Sequence, residues 1–200
     1  MSTIGFDLDM TLVDSRLGIA RCMQSAIRAH GGDATEEELW PLIGIPLRDT
    51  LAHFLPAPVL EDAARQYRRE YPSIAVPITT ALPGAAALVS GLRAGGHRVI
   101  VVSAKVADAV RQVLDHVGIP VDEIAGGVFA HDKAAPLRDR ATIAYVGDHE
   151  GDMIAATDAG ALGVGVLTGP HDEARLRAAG ARVVIPSLTA LGPDPDRWVR

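Results

Sequence analysis

Asp7 and Asp9 stand two positions apart at the end of the apolar run TIGF, with Thr11 close behind them. Two carboxylates at the end of a buried strand repel each other and are costly to leave unpaired. Other parts of the chain offer groups that could act with them. Ser103 ends RVIVVS, Lys133 follows GGVFA, Asp148 ends TIAYVGD, and Asp152 comes one helical turn later. Carboxylates in an oxygen-rich setting, with no histidine cluster among them, suit a hard cation such as Mg²⁺. Lysine and serine suit a phosphoryl group, one as a point charge and the other as a hydrogen-bond donor.

Aspartate is also a nucleophile toward phosphorus. A carboxylate about 4 Å from a dianionic phosphate meets roughly twice the ~4 kcal/mol of a unit pair at an effective dielectric of 20. A dication together with Lys133 is of the right size to cancel that repulsion. Phosphoryl transfer needs mainly positioning and charge stabilisation, which these groups supply. A second carboxylate, Asp9, could give a proton to the leaving oxygen and later activate water.

Each residue alone has an ordinary structural reading. Ser103 could cap the following helix, Lys133 could be a solvated surface lysine, and GDHEGD could be a capped turn. What gives them weight is that four segments send polar groups to one edge. From residue 80 onward, short β-branched runs alternate with helical patterns. RVIVVS is followed by KVADAVRQVLDHVG, whose valines and Leu114 recur at helical spacing, and Gly118 with Pro120 ends that helix. IAGGVFA (124–130), TIAYVGD, ALGVGVL and RVVIP are further candidate strands, and the Pro-rich end from Gly192 reads as loosely held. Apolar strands separated by helices predict an α/β fold, a doubly wound, Rossmann-like parallel sheet covered on both faces. Ligands bind such a sheet outside the carboxyl ends of its strands.

Residues 14–79 show helical stretches around Leu17–His30, Glu36–Ile43 and Leu60–Tyr71 and no convincing strand. PSIAVPITTALPG (72–84) reads as the return connection. The expected organisation is a core of residues 1–13 and 80–200 with an all-helical domain, 14–79, inserted after the first strand. A formal charge of −6 argues against a nucleic-acid backbone as partner, and no apolar run is long enough to span a bilayer. Cys22 is the only cysteine and no targeting segment is evident, so a cytoplasmic monomer or homodimer acting on a small molecule is expected.

DLDMT (7–11), VVSAK (101–105), HDKAAPL (131–137) and GDHEGDM (147–153) resemble, in order and spacing, the four motifs of the haloacid dehalogenase superfamily. They look like its phosphatase branch, in particular the phosphoglycolate phosphatase-like group with a helical cap. The resemblance implies a phosphatase acting on a phosphoglycolate-like phosphomonoester through an aspartyl-phosphate. It makes Asp7 the nucleophile and Asp9 the acid/base, with Ser103 and Lys133 binding the phosphoryl group. Mg²⁺ would be held by Asp7, Asp148 and the backbone carbonyl of Asp9, with Asp152 supporting the metal shell and Thr11 bracing the loop. Met10 stands where the family usually has glycine and Ser103 where threonine is commoner, and Lys105 is a nearby competitor of Lys133. The family's dehalogenases lack the second aspartate. A phosphomutase would use the same residues, and a receiver-type phosphoacceptor shares the residue types but has no inserted cap. Within the cap, Arg48 is the candidate for meeting an anionic group on the substrate, and Trp40 reads as cap core.

Overall fold

A computed structural model describes residues 2–198. Its main sheet begins with β1 (Thr3–Phe6). Beyond the helical region come β4 (Arg98–Ser103), β5 (Glu123–Gly126), β6 (Thr142–Gly147), β7 (Leu162–Val166) and β8 (Val183–Ile185). All six strands are parallel, in the order β5-β4-β1-β6-β7-β8. The chain runs outward from β1 on one side and then crosses to the other. The carboxyl ends of β4, β1 and β6 therefore border the point where strand order reverses, which is where an open α/β sheet forms its crevice.

Alternation along β4 shows why both faces are covered. Val99 and Val101 pack with Leu88, Val89 and Leu92 of α5 (Ala85–Ala94) and with Val110 and Val113 of α6 (Ala107–Val117). Ile100 and Val102 point the other way, to Leu137 of α7 (Ala134–Asp139) and to Ala155 and Ala156 of α8 (Glu150–Ala159). A run apolar at every position suits this strand because neither side meets water. Leu176 of α9 (Glu173–Ala178) packs with Met153 and Ala181 near the far edge. Gly118 closes α6 in the left-handed conformation, φ 69°.

Residues 16–74 are largely helical: α1 (Arg16–Ala29), α2 (Glu36–Leu39), α3 (Leu47–Ala52) and α4 (Leu60–Ile74). Buried Ile19, Cys22, Met23, Ala26 and Ile27 form one stripe on α1 at helical spacing, and that helix packs on α4. Thr35 and Glu38 form a reciprocal capping box at the start of α2.

Four expectations need correction. The region around 14–80 does contain strand: β2 (Val13–Asp14) pairs antiparallel with β3 (Thr80–Ala81), at the two points where the chain leaves and re-enters the core. Two-residue strands are too short to show a period. α4 runs through Pro72 to Ile74, since in the last turn a proline disturbs only one backbone pairing. The IAGGVFA strand stops at Gly126, because Gly127 turns the chain at φ 77°. The Pro-rich end is anchored as far as it is described. Trp198 is buried in the main core and its indole N–H donates to the Gly192 carbonyl at 2.9 Å, while residues 199–200 lie outside the described region.

Candidate active site

Asp7 directly follows β1, and its backbone N–H donates to Val146 of β6 at 2.9 Å. The Lys133 ammonium, buried at the end of a short 3₁₀ turn before α7, donates to Asp7 Oδ1 at 2.8 Å and to Asp152 Oδ1 at 2.6 Å. Asp152 Oδ2 accepts the His149 backbone N–H at 3.1 Å. The Tyr145 hydroxyl lies 3.3 Å from Asp152 Oδ1 and donates to the Val102 carbonyl at 2.7 Å. Thr11 is fully buried and donates to Asp148 Oδ1 at 3.0 Å, so it braces Asp148 directly. Carboxylate oxygens of Asp7, Asp148 and Asp152 lie within 4.8 Å of one another.

Backbone shape makes this crowding possible. A Cβ at Gly169 would sit 1.8 Å from Asp148 Oδ2, and one at Gly147 would sit 2.4 Å from Asp152. Glycine at both lets the chain pass against the carboxylates. Met10, directly after Asp9, is held at φ 58°, a left-handed conformation that costs a non-glycine residue on the order of 1–2 kcal/mol. Burial of its side chain in the core offsets that cost, and Thr168 donates to its carbonyl.

Three buried carboxylates here face one buried ammonium. Burial, opposed in part by Lys133, raises Asp7 to about 7, with Asp152 and Asp9 adding to the rise. Burial and the neighbouring Asp7 and Asp152 push Asp148 well above the usual carboxylate range. Burial alone would lower Lys133, but Asp152 and Asp7 outweigh it and hold the ammonium well above its ordinary value. Ionised together, the three carboxylates would carry an excess of two negative charges on closely spaced hard oxygens, which a divalent cation such as Mg²⁺ would neutralise, so the donor set fits the ion.

Asp9 takes a different direction. Its Oδ2 lies 3.0 Å from Lys105 Nζ, and its Oδ1 is buried with no hydrogen-bond partner. The Asp9 carboxylate is thus apart from the three-carboxylate cluster. Lys105 also donates to the Tyr71 hydroxyl at 2.8 Å, from α4. Ser103 ends β4 and is buried; it does not cap α6, whose N-cap is Val106, and its Oγ accepts the Lys105 N–H at 3.2 Å.

Arg48 is not brought to the cluster. It lies in the first turn of α3 with a largely exposed side chain, its Nε 2.8 Å from Glu61. It does line a cavity of about 400 Å³ between the helical region and the core, which Asp9 and Lys105 also line. Trp40 is only partly buried, and the Arg16 guanidinium sits 4.4 Å from its ring centre. In a separate group, His149 and His171 stack at 4.1 Å, with Glu150 nearby. Each ring's Nδ1 accepts a backbone N–H, from Gly151 and Glu150 respectively, which commits those lone pairs. Burial lowers His149 to about 4, so it is neutral. Sequence reasoning missed Tyr145 and Gly169, which carried no signal of their own. It also missed the partners of Lys105, which only the packing of α4 supplies.

The sequence profile described as haloacid dehalogenase-like hydrolase matches residues 4–166. A phosphoglycolate phosphatase of Cereibacter sphaeroides is 33% identical over 182 residues, covering 80% of this chain and 82% of that protein. A Dickeya dadantii protein named "Probable phosphatase IndB" is 29% identical over 204 residues, covering 92% and 89%. Among solved structures, a haloacid dehalogenase-like hydrolase of Bacteroides fragilis matches with a TM-score of 0.84, at 24% identity over 94% of this chain and 98% of that one. That last likeness is one of fold.

Proposed function

The chain belongs to the haloacid dehalogenase-like hydrolase family and is a phosphoric monoester hydrolase, and from that premise we propose a Mg²⁺-dependent reaction through a phosphorylated Asp7. The observation that carries this reading is the buried group of Asp7, Lys133, Asp148 and Asp152 at the carboxyl edge of the sheet. Asp7, Asp148 and the backbone carbonyl of Asp9 would hold the ion, with Asp152 acting through Lys133. When bound, Mg²⁺ supplies positive charge that cancels the excess on the carboxylates and on the substrate phosphate.

The residues then divide the work. Lys133 and Ser103 orient the phosphoryl group, and Lys133 keeps Asp7 positioned by its 2.8 Å hydrogen bond. An Asp7 oxygen attacks phosphorus, the ester P–O bond breaks, and the leaving oxygen takes a proton from Asp9. Lys105 fixes one Asp9 oxygen and leaves Oδ1 available for that transfer. Asp9, now a carboxylate, accepts a proton from water as the water attacks the phosphoryl-aspartate. Inorganic phosphate leaves and Asp7 is regenerated. The acidic net charge argues against a nucleic-acid backbone as substrate, and similarity to a phosphoglycolate phosphatase supports a small phosphorylated metabolite.

Incubating the protein with p-nitrophenyl phosphate and Mg²⁺ should release inorganic phosphate and nitrophenol in equal amounts. EDTA should stop the release, and excess Mg²⁺ should restore it. Turnover that survives chelation contradicts the metal requirement. Phosphate that returns to an acceptor instead of accumulating would make the protein a mutase.

A further inference from the structure

Resting on the phosphatase reading above, we propose that the substrate's leaving group is a medium-sized, predominantly apolar alcohol and not a two-carbon carboxylated one such as glycolate. The group that protonates the leaving oxygen must touch it, and Asp9 is the residue that lines the 400 Å³ cavity while standing two positions from Asp7. The cavity is therefore the chamber that receives what the phosphorus releases. Its volume falls within the range of about 300–1,000 Å³ typical of sites that enclose drug-sized ligands, and a glycolate would leave most of it unfilled.

The lining is also of the wrong character for a small anion. Ile19 and Met23 from α1, Ile43 and Ile45 from the loop before α3, and Tyr67 and Tyr71 from α4 give the wall a largely apolar character, with Thr50 and Gln112 as its uncharged polar members. The carboxylate of a glycolate lies two carbons from the ester oxygen and so needs a cation beside Asp9. Lys105 is the cation there, and it is committed to Asp9 at 3.0 Å and to the Tyr71 hydroxyl at 2.8 Å. Asp108 adds a second acid to the lining, Arg48 is paired with Glu61, and Arg68 belongs to the exposed rim. Apolar surface removed from water then provides the binding energy, and each methylene that enters the chamber adds to it.

The test is phosphate release from ethyl, n-butyl, n-hexyl and 2-phenylethyl phosphates and from phosphoglycolate, all with Mg²⁺. All are esters of primary alcohols, so differences report the chamber more than the bond broken. We expect kcat/KM to rise roughly fourfold per methylene until the chamber is filled. The 2-phenylethyl ester should exceed phosphoglycolate by at least about tenfold. Ile45→Asn should lower the ratio of phenylethyl to ethyl turnover by about tenfold, a readout internal to the variant. A flat series, or phosphoglycolate as the best substrate, overturns the inference and leaves the phosphatase reading standing. Release from none of these esters, nor from p-nitrophenyl phosphate, removes both.

Discussion

Asp7→Asn should reduce phosphate release by on the order of 10⁴-fold or more, with the fold intact. Asparagine is isosteric with aspartate, but its amide is not a nucleophile for phosphorus, so no phosphorylated intermediate can form at residue 7. The same change removes one of three crowded carboxylates. Burial holds Asp7 at about 7, so at pH 8 the ionised side chain opposes folding without Mg²⁺. The sign follows from linkage: a carboxyl raised in the folded state weakens stability as pH rises through its folded pKa. The variant's Tm without metal at pH 8 should therefore equal or exceed that of the natural chain. Activity and thermal melts measured on one preparation check both parts, and substantial retained turnover would remove Asp7 from its role.

Lys133→Met should damage stability and activity together. The ammonium is almost fully buried and is the group that donates to both Asp7 and Asp152. Removing one partner of a buried ionic group costs roughly 3–5 kcal/mol, because the remaining charges stay uncompensated. For a chain of this size that is roughly 6–20 °C in Tm. Loss of a hydrogen-bond donor to the reacting group should lower kcat by roughly 10²–10³-fold. Asp7 would also lose the neighbour that holds it down, so its raised pKa would rise further. Destabilisation should then be largest above pH 7 and shrink as acid protonates the cluster, and added Mg²⁺ should recover part of the Tm. Thermal melts across pH, with and without Mg²⁺, check this. A Tm unchanged from the natural chain at pH 8 would mean that Lys133 does not balance the carboxylates.

Much of the architecture could be read from local pattern. Residues 99–102 of RVIVVS are β-branched and apolar at every position because both sheet faces are covered, and that is a purely local signal. The stripe on α1 is equally local. Asp7, Ser103 and Asp148 were legible at the sheet edge because each ends or directly follows a recognisable strand, and parallel strands place their ends on one edge; Lys133 and Asp152 sit in the turn and helix that follow β5 and β6. Features that depend on tertiary packing were not legible. Pro72 reads as a helix stop, yet so close to the end of α4 it removes only one backbone pairing and the helix runs on to Ile74. β2 and β3 owe their existence to each other. Trp198 anchors a segment whose prolines suggest slackness, and His149 stacks on a histidine 22 positions away. Lys105 could be seen as a lysine near the site, but its commitment to Asp9 and Tyr71 needed α4 to be in place.

The central claim is that phosphorus is bonded to Asp7 during turnover. It is tested most directly by acid-quenching an Asp9→Asn variant while it reacts with ³²P-labelled p-nitrophenyl phosphate, whose leaving group departs without needing a proton from Asp9, and then mapping the labelled peptide. The account predicts a hydroxylamine-labile label on the peptide containing Asp7, accumulating because the variant cannot activate water to discharge it. Phosphate release with no label on that peptide, or with label on another residue, would contradict it.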